Sequence, residues 1–473
     1  MEPPPAQSSL PSLGVAVLQL ETRPVATAEN LAHIEALLDS ECARLGIARW
    51  DGGQSGSRQR GEGMHLDILL LPEIFNTGYL LTEAAWYFAE SLAARPATSP
   101  SLRALSRWAA RYRCYAGATL LEATKDGHIY NSFVLAAPDG TFVRRPATAA
   151  SDGVAVSTAL VRKHRASSLE GFAFRSAGAA GRGGEPDAHV IEVDAAPLLA
   201  KRCESSTSCG AGADAGPAGG TALRLGVAIC YENFCLQPMA TLQPAHDHPT
   251  FKWPRQAAER FAASAAAISQ MHAAQLGLAV VACHHTGSWT AALPRLLPFL
   301  RADPVPLSGP MLGCSAIYAP GGSPLARLSR EQEGMALVQL PLLQSAGASG
   351  AAAPGSIRLV GTPLASVLGA AAAASADAGP AAPYAAYPGG YIAEPVSWEV
   401  KFGFRLMEAL GALSYTVWQR RLRRNVAQLI AANGAWQGPL PPLDPRTRSG
   451  WSLALAAAAS VALAGLLVWQ AKA

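Results

Sequence analysis

The chain has 473 residues, half of them apolar, and a net charge of +4. That length allows one large domain or a few ordinary ones with a sizeable core, and so small a charge leaves no electrostatic footprint for nucleic acid. Eight thinly spread cysteines do not make a disulfide scaffold. The N-terminal residues lack the basic region of a secretory signal, so reduced thiols and a cytosolic main domain are expected.

In chain order, residues 1–10 read as disordered. "GVAVLQL" (14–20) alternates and is β-branched, a strand pattern. A helix follows in "ENLAHIEALLDSECARLG", with Leu31, Ile34, Leu38 and Leu45 on one side and Gly46 ending it. "DGGQSGSRQRGEG" (51–63) reads as a loop, and "DILLLPE" (67–73) as a buried strand with a carboxylate at its end. A helix is predicted over 101–112. Strands are predicted over 114–121 and 130–137, the second entering the turn "PDG". The cysteine-bearing "LRLGVAICYENFCLQP" opens as another strand. A helix is predicted over 255–275, with strands over 278–283, 315–320 and 334–340. This alternation predicts an α/β domain with a buried sheet, and no internal repeat is apparent.

Two stretches, 143–158 and 176–221, interrupt the pattern. The second is rich in Gly, Ala, Ser and Asp; both read as surface insertions. Residues 343–395 form an Ala/Gly/Pro-rich linker, 396–433 one long helix or a helical pair, and 434–450 a Pro-rich break. The last segment, "WSLALAAAASVALAGLLVWQ" (451–470), holds no charged residue and is long enough to span a bilayer. Trp451 and Trp469 mark its ends, and Arg446 and Arg448 precede it. A membrane helix is the expectation; a buried or self-associating alanine-rich helix is the alternative. "RRLRR" (420–424) reads as a solvated helix face that next to a membrane segment could meet anionic lipid heads.

The chemistry-bearing residues sit at the ends of these elements. Glu73 lies at the carboxyl end of a buried strand, where α/β proteins place their sites; taken alone it reads as a helix-capping or ion-paired acid. Lys163 lies in the basic run "VRKHR", with Glu170 seven residues on, and such runs are most often solvated. A lysine can also stabilise an oxyanion, and a nearby acid can hold it. Cys230 closes an apolar run. A buried thiol is inert unless a base takes its proton and donors meet the developing charge, roles that Glu73 and Lys163 supply if the fold unites them. Cys235 reads as a packed or surface thiol. "HDH" (246–248) and "HH" (284–285) lack zinc-type spacing, so neither metal nor cofactor is expected.

With these residues in place the chain resembles the nitrilase superfamily of carbon–nitrogen hydrolases over about 11–342. "LLLPEIFNTGY" is similar to its glutamate motif, "RKHRASSLEGFAF" to its lysine motif and "LGVAICYENF" to its cysteine motif. "YNSFVLAAPDG", "LAVVACHHTGSW", "GCSAIYAPGGSPLA" and "EGMALVQL" resemble lesser signatures in the expected order. The resemblance implies an α-β-β-α sandwich, here with a helical C-terminal tail, often paired into a four-layered dimer, so a homodimer or higher homo-oligomer is expected. It carries the triad over to Glu73, Lys163 and Cys230, and a frequent second glutamate to Glu170. The backbone N–H of Tyr231 would join the oxyanion site. Glu232 and Asn233 would support the site or line the pocket, and His284 and His285 would line the pocket or cap a strand. The chain departs from the family at "NFCLQP" and "CHHTGSW", positions that line the family's pocket.

The function so implied is a thiol hydrolase acting on a small-molecule amide or nitrile, with "CYE" closer to amidases. It would be a single-pass membrane protein anchored by its C-terminal helix, with its catalytic domain in the cytosol. An acyltransferase using the same triad, a non-catalytic membrane-bound scaffold and a GPI-anchored ectoenzyme are the competing readings.

Overall fold

The computed structural model describes residues 12–50, 64–80, 84–92, 99–124, 127–144, 158–163, 170–175, 190–195, 197–198, 222–227, 229, 255–276, 278–292, 306–341, 410–416 and 419. Among the described residues the main sheet has six strands in the order β13-β1-β2-β3-β4-β5. These are β1 (Ser12–Gln19), β2 (Ile68–Leu70), β3 (Tyr115–Ala123), β4 (Ile129–Ala136), β5 (Val161–Arg162) and β13 (Gly334–Pro341). β1, β2 and β3 run parallel, whereas β13, β4 and β5 pair antiparallel with their neighbours.

The period of two along each strand sorts the side chains into two layers. Ala16 and Leu18 of β1, Leu69 of β2 and Val134 of β4 meet Ile34, Leu38, Leu102, Leu105 and Trp108 on one face. Those partners come from α1 (Thr27–Arg44) and α3 (Pro100–Tyr112). Leu13 and Val15 of β1, Ile68 of β2, and Phe133 and Leu135 of β4 point the other way. They pack on a strand pair, β6 (Val190–Asp194) and β7 (Ala222–Gly226), through Ile191 and Val193 with Leu223 and Leu225.

Val17 and Ala336 on that same face meet Ile317 of a three-stranded sheet. Its strands are β8 (Val280–Ala282), β11 (Ala316–Tyr318) and β12 (Pro324–Arg327), in the order β12-β11-β8. α4 (Arg255–Leu276) covers its outer side, Ala273 packing on Ala282, Ala316 and Tyr318. The layers are therefore helix, sheet, sheet, helix, a nitrilase-type α/β arrangement. A separate hairpin pairs β9 (Ser288–Ala292) with β10 (Pro306–Pro310). A short helix, α2 (Ala84–Phe88), lies against β3.

Several elements differ in extent from the sequence expectation. The strand expected over 67–73 is laddered only at 68–70; Leu71 N still donates to Gly117 O, but Pro72 has no N–H to continue. β7 stops at Gly226, short of the apolar run that leads to Cys230. Within the stretch read as the second insertion, Val190–Asp194 is a strand antiparallel to β7, with Ile191 and Val193 buried. Its alternation is masked in the sequence by Gly- and Ala-rich flanks. The first insertion begins and ends in the core: Val143 N donates to Leu135 O and Thr158 N to Leu92 O.

Residues 410–416 are helical, and Tyr415 packs against the domain rather than standing apart from it. The 51–63 loop, the 343–395 and 434–450 linkers and the apolar 451–470 segment lie outside the described residues. Among the described residues no helix is long and apolar enough to cross a membrane.

Candidate active site

Glu73 stands three residues beyond β2, where the sheet ends and the chain turns. Ile74 has φ of 51°, a region that β-branched residues avoid, at a cost of about 1–3 kcal/mol. Two contacts hold it there: Ile74 N donates to Thr119 Oγ1 of β3 at 2.9 Å, and its side chain is fully buried. The strained turn fixes the direction of the Glu73 side chain. The Glu73 carbonyl accepts from His285 Nε2 at 2.5 Å, and Thr22 Oγ1 lies 2.9 Å from His285 Nδ1. Burial holds the His285 pKa below its usual value, which fits a neutral ring that donates at Nε2 and accepts at Nδ1.

Lys163 follows β5 directly. Register sets its position: β5 pairs with β4 at Ser132↔Arg162, and Lys163 N donates to Asn131 O at 2.8 Å. The lysine is fully buried. Its Nζ donates to Glu73 Oε1 at 2.9 Å and to both Glu170 oxygens at 2.8 and 2.9 Å. Glu170 opens a 3₁₀ turn, Glu170–Phe172, and is itself buried. The Phe174 ring lies 5.8 Å from Lys163 Nζ, within cation–π range. A basic residue that would be solvated in an isolated run is thus a buried ammonium between two carboxylates.

Glu73 is held at both oxygens. Asn131 Nδ2 donates to Oε1 at 2.6 Å, and Tyr79 Oη donates to Oε2. Tyr79 also packs edge-on to His285. Tyr79, Asn131 and His285 were not singled out by sequence reasoning as Glu73 partners. Tyr79 closes the "LLLPEIFNTGY" motif and Asn131 lies in "YNSFVLAAPDG", so their motifs were legible while their contacts were not. Of the histidine pair, His285 reaches Glu73. His284, expected like His285 to line the pocket or cap a strand, donates from Nδ1 to Gly313 O at 2.9 Å, and burial lowers its pKa to about 4.

The loop bearing Glu73 is tied down further on. Asn76 Nδ2 donates to Glu90 Oε1 at 3.0 Å, and Glu90 also accepts from Ser99 Oγ, Ser101 Oγ and Ser101 N. Ser99 is the N-cap of α3, so a fully buried carboxyl joins the site loop to a helix N-terminus. Burial pushes the Glu90 pKa up.

Cys230, Tyr231, Glu232 and Asn233 lie outside the described residues. The chain approaches Cys230 through buried Ile229, part of the cluster between the sheets. Among the described residues no group of three or more His, Cys, Asp or Glu side chains could hold a metal ion. A cavity of about 490 Å³ is lined by residues that include Glu21, Gly287 and Arg330, and none of the described candidate site residues is among those lining it.

A family model described as carbon-nitrogen hydrolase matches residues 14–348. Among solved structures the chain is similar to Saccharomyces cerevisiae Nit3, a member of branch 10 of the nitrilase superfamily, at 14% identity and a TM-score of 0.38, over 70% of this chain and 90% of that one. It is similar to a mutant of the Nesterenkonia AN1 amidase at 16% identity and a TM-score of 0.39, again over 70% and 90%. A CN-hydrolase superfamily protein from Xanthomonas campestris matches at 16% identity and a TM-score of 0.35, over 70% and 90%. No curated protein matches the chain. The family model spans most of the chain, so this protein belongs to the carbon–nitrogen hydrolase family.

Proposed function

We propose that the protein is a thiol hydrolase that cleaves a non-peptide carbon–nitrogen bond, an amide in preference to a nitrile, with Cys230 as nucleophile. The observation that carries this reading is the buried contact of Lys163 Nζ with Glu73 and Glu170. Desolvating an ammonium and two carboxylates is expensive, and such clusters concentrate where chemistry needs preorganised charge.

In this mechanism Glu73 takes the Cys230 thiol proton, and the thiolate attacks the carbonyl carbon. Lys163 Nζ turns one N–H from Glu170 to the tetrahedral oxyanion, assisted by the Tyr231 backbone N–H. As the intermediate collapses, the C–N bond breaks and the leaving nitrogen takes the proton from Glu73, departing as ammonia or an amine. Glu73 then takes a proton from water, whose oxygen attacks the thioester. Collapse expels the Cys230 thiolate, which recovers that proton from Glu73, and an acid is released. Asn131 and Tyr79 hold the carboxylate while its proton comes and goes, and Glu170 keeps Lys163 oriented. An amine in place of water would make the same triad an acyltransferase.

Outside the catalytic domain, the uncharged 451–470 segment is proposed as a membrane anchor behind a cytosolic hydrolase, and a homodimer or higher homo-oligomer as the assembled form. The catalytic reading is tested by incubating the full-length protein with a panel of small amides and nitriles and measuring ammonia. Release by the wild type is expected, with Cys230→Ala, Glu73→Gln and Lys163→Met at background. Wild-type rates in the three variants would defeat it.

A further inference from the structure

We propose that the helical residues 410–416 and 419, beyond the family match that ends at 348, form an intramolecular brace for the Glu73–Lys163–Glu170 cluster, with Tyr415 as its anchor. The proposal rests on reading that cluster as catalytic. Tyr415 is 6% exposed and shares a buried cluster with Ile74, Leu121 and Phe174. Ile74 is the residue after Glu73, and Phe174 faces Lys163. The Tyr415 ring tilts against Trp86 at 5.6 Å between centroids and stacks on His128 at 6.3 Å with 9° between planes.

Polar contacts continue the path inward. Tyr415 Oη accepts the Ile129 N–H at 3.0 Å, and it and the Gln419 amide both contact His128 Nδ1, at 3.3 and 2.9 Å. Ile129 opens β4, which two residues later presents Asn131 to Glu73 and to Lys163 N. On its other side, Ile129 O accepts from Arg175 N at 2.8 Å, and His128 Nε2 lies 3.1 Å from Arg175 Nη1. Arg175 ends the turn that carries Glu170. One aromatic side chain therefore clamps the two backbone segments that set three members of the site. The geometry that catalysis needs is held within about an ångström, and a slip of that size costs roughly a hundredfold in rate. Tyr415 is thus a positioning residue, with no direct contact to the triad required.

The test uses the full-length chain with two readouts, steady-state ammonia release and amide hydrogen exchange. Tyr415→Ala is expected to lower kcat by about tenfold to a hundredfold with KM little changed. It should also accelerate exchange in 128–131 and 170–175. Tyr415→Phe keeps the ring contacts but removes the acceptor for Ile129 N–H, so its kcat should lie between the two and exchange at Ile129 should rise. Gln419→Ala, which among the described residues cuts the contacts to His128, should show a smaller change of the same sign. Tyr415→Ala with wild-type kcat and wild-type exchange would overturn the brace. If that variant does not fold, unchanged exchange at Ile129 in Tyr415→Phe would overturn it. A wild type that releases no ammonia would defeat the catalytic reading alone, and the exchange data would still decide the brace.

Discussion

At the scale of the residue, Lys163 decides what the neighbouring side chains can do. A fully buried ammonium is tolerable only with partners, and its three N–H donors are taken by Glu73 and both oxygens of Glu170. Removing Glu170 leaves Glu73 as the counter-charge but strands buried N–H donors of the ammonium in a dry site, at about 1–3 kcal/mol or more. Glu170→Ala is therefore expected to lower stability by roughly that amount in denaturant titration. Glu170→Gln, which keeps an acceptor, should lose much less stability while still losing turnover. Equal stability losses in the two variants would show that the lost charge, not the lost acceptor or volume, sets the cost. The partnership was only half legible. Glu73, Lys163 and Cys230 each sit in a motif, whereas Tyr79 and Asn131 bond Glu73 because of the 74–79 turn and the β4–β5 register, which no local pattern encodes. His284 and His285 are identical neighbours in sequence; only the approach of Glu73 O to one of them separates their roles.

The same histidines set an acid limit. His284 is held neutral, its pKa lowered to about 4 by burial, against an unfolded value of about 6.5. The unfolded chain therefore binds the proton first, and folding stability, full above about pH 6.5, falls as pH drops toward 4. His285, shifted the same way, adds to the loss. The melting temperature should decline through that window, and His284→Gln should flatten the slope; an unchanged slope would assign the acid sensitivity to other groups.

At the scale of the element, β1 shows how closely the sheet is fitted. A Cβ at Gly14 would stand 1.7 Å from His65 O, and Gly14 N donates to Asp67 Oδ2 at 2.8 Å. Gly14→Ala must push β1 from the segment entering β2, so a loss of more than about 1–3 kcal/mol is expected in the urea midpoint. A neutral result would mean that the 65–67 segment yields freely. Most elements were readable because period and burial agree: β1, β4, α1 and α3 all show the face that the core uses. β2 proved shorter than its apolar run because Pro72 cannot donate. β6 was hidden because Val190–Asp194 is brief and lies in low-complexity sequence, its pairing with β7 visible only in the fold.

At the scale of the whole molecule, two layers of strands are pressed between helical layers, and the site forms where β2 and β5 end and β4 begins at one edge of the main sheet. The layered architecture followed from strand and helix alternation together with the family resemblance. The docking of Tyr415 did not, because a long Ala/Gly/Pro-rich stretch separates it from the domain it braces. In the proposed mechanism this frame serves a thiolate at Cys230. The most direct measurement is the mass of the full-length protein acid-quenched during turnover of an amide from the ammonia panel, with peptide mapping of the adduct. The expected result is an acyl increment on Cys230 that hydroxylamine removes, absent in Cys230→Ala. Turnover without an adduct, or an adduct on Cys235, would contradict it.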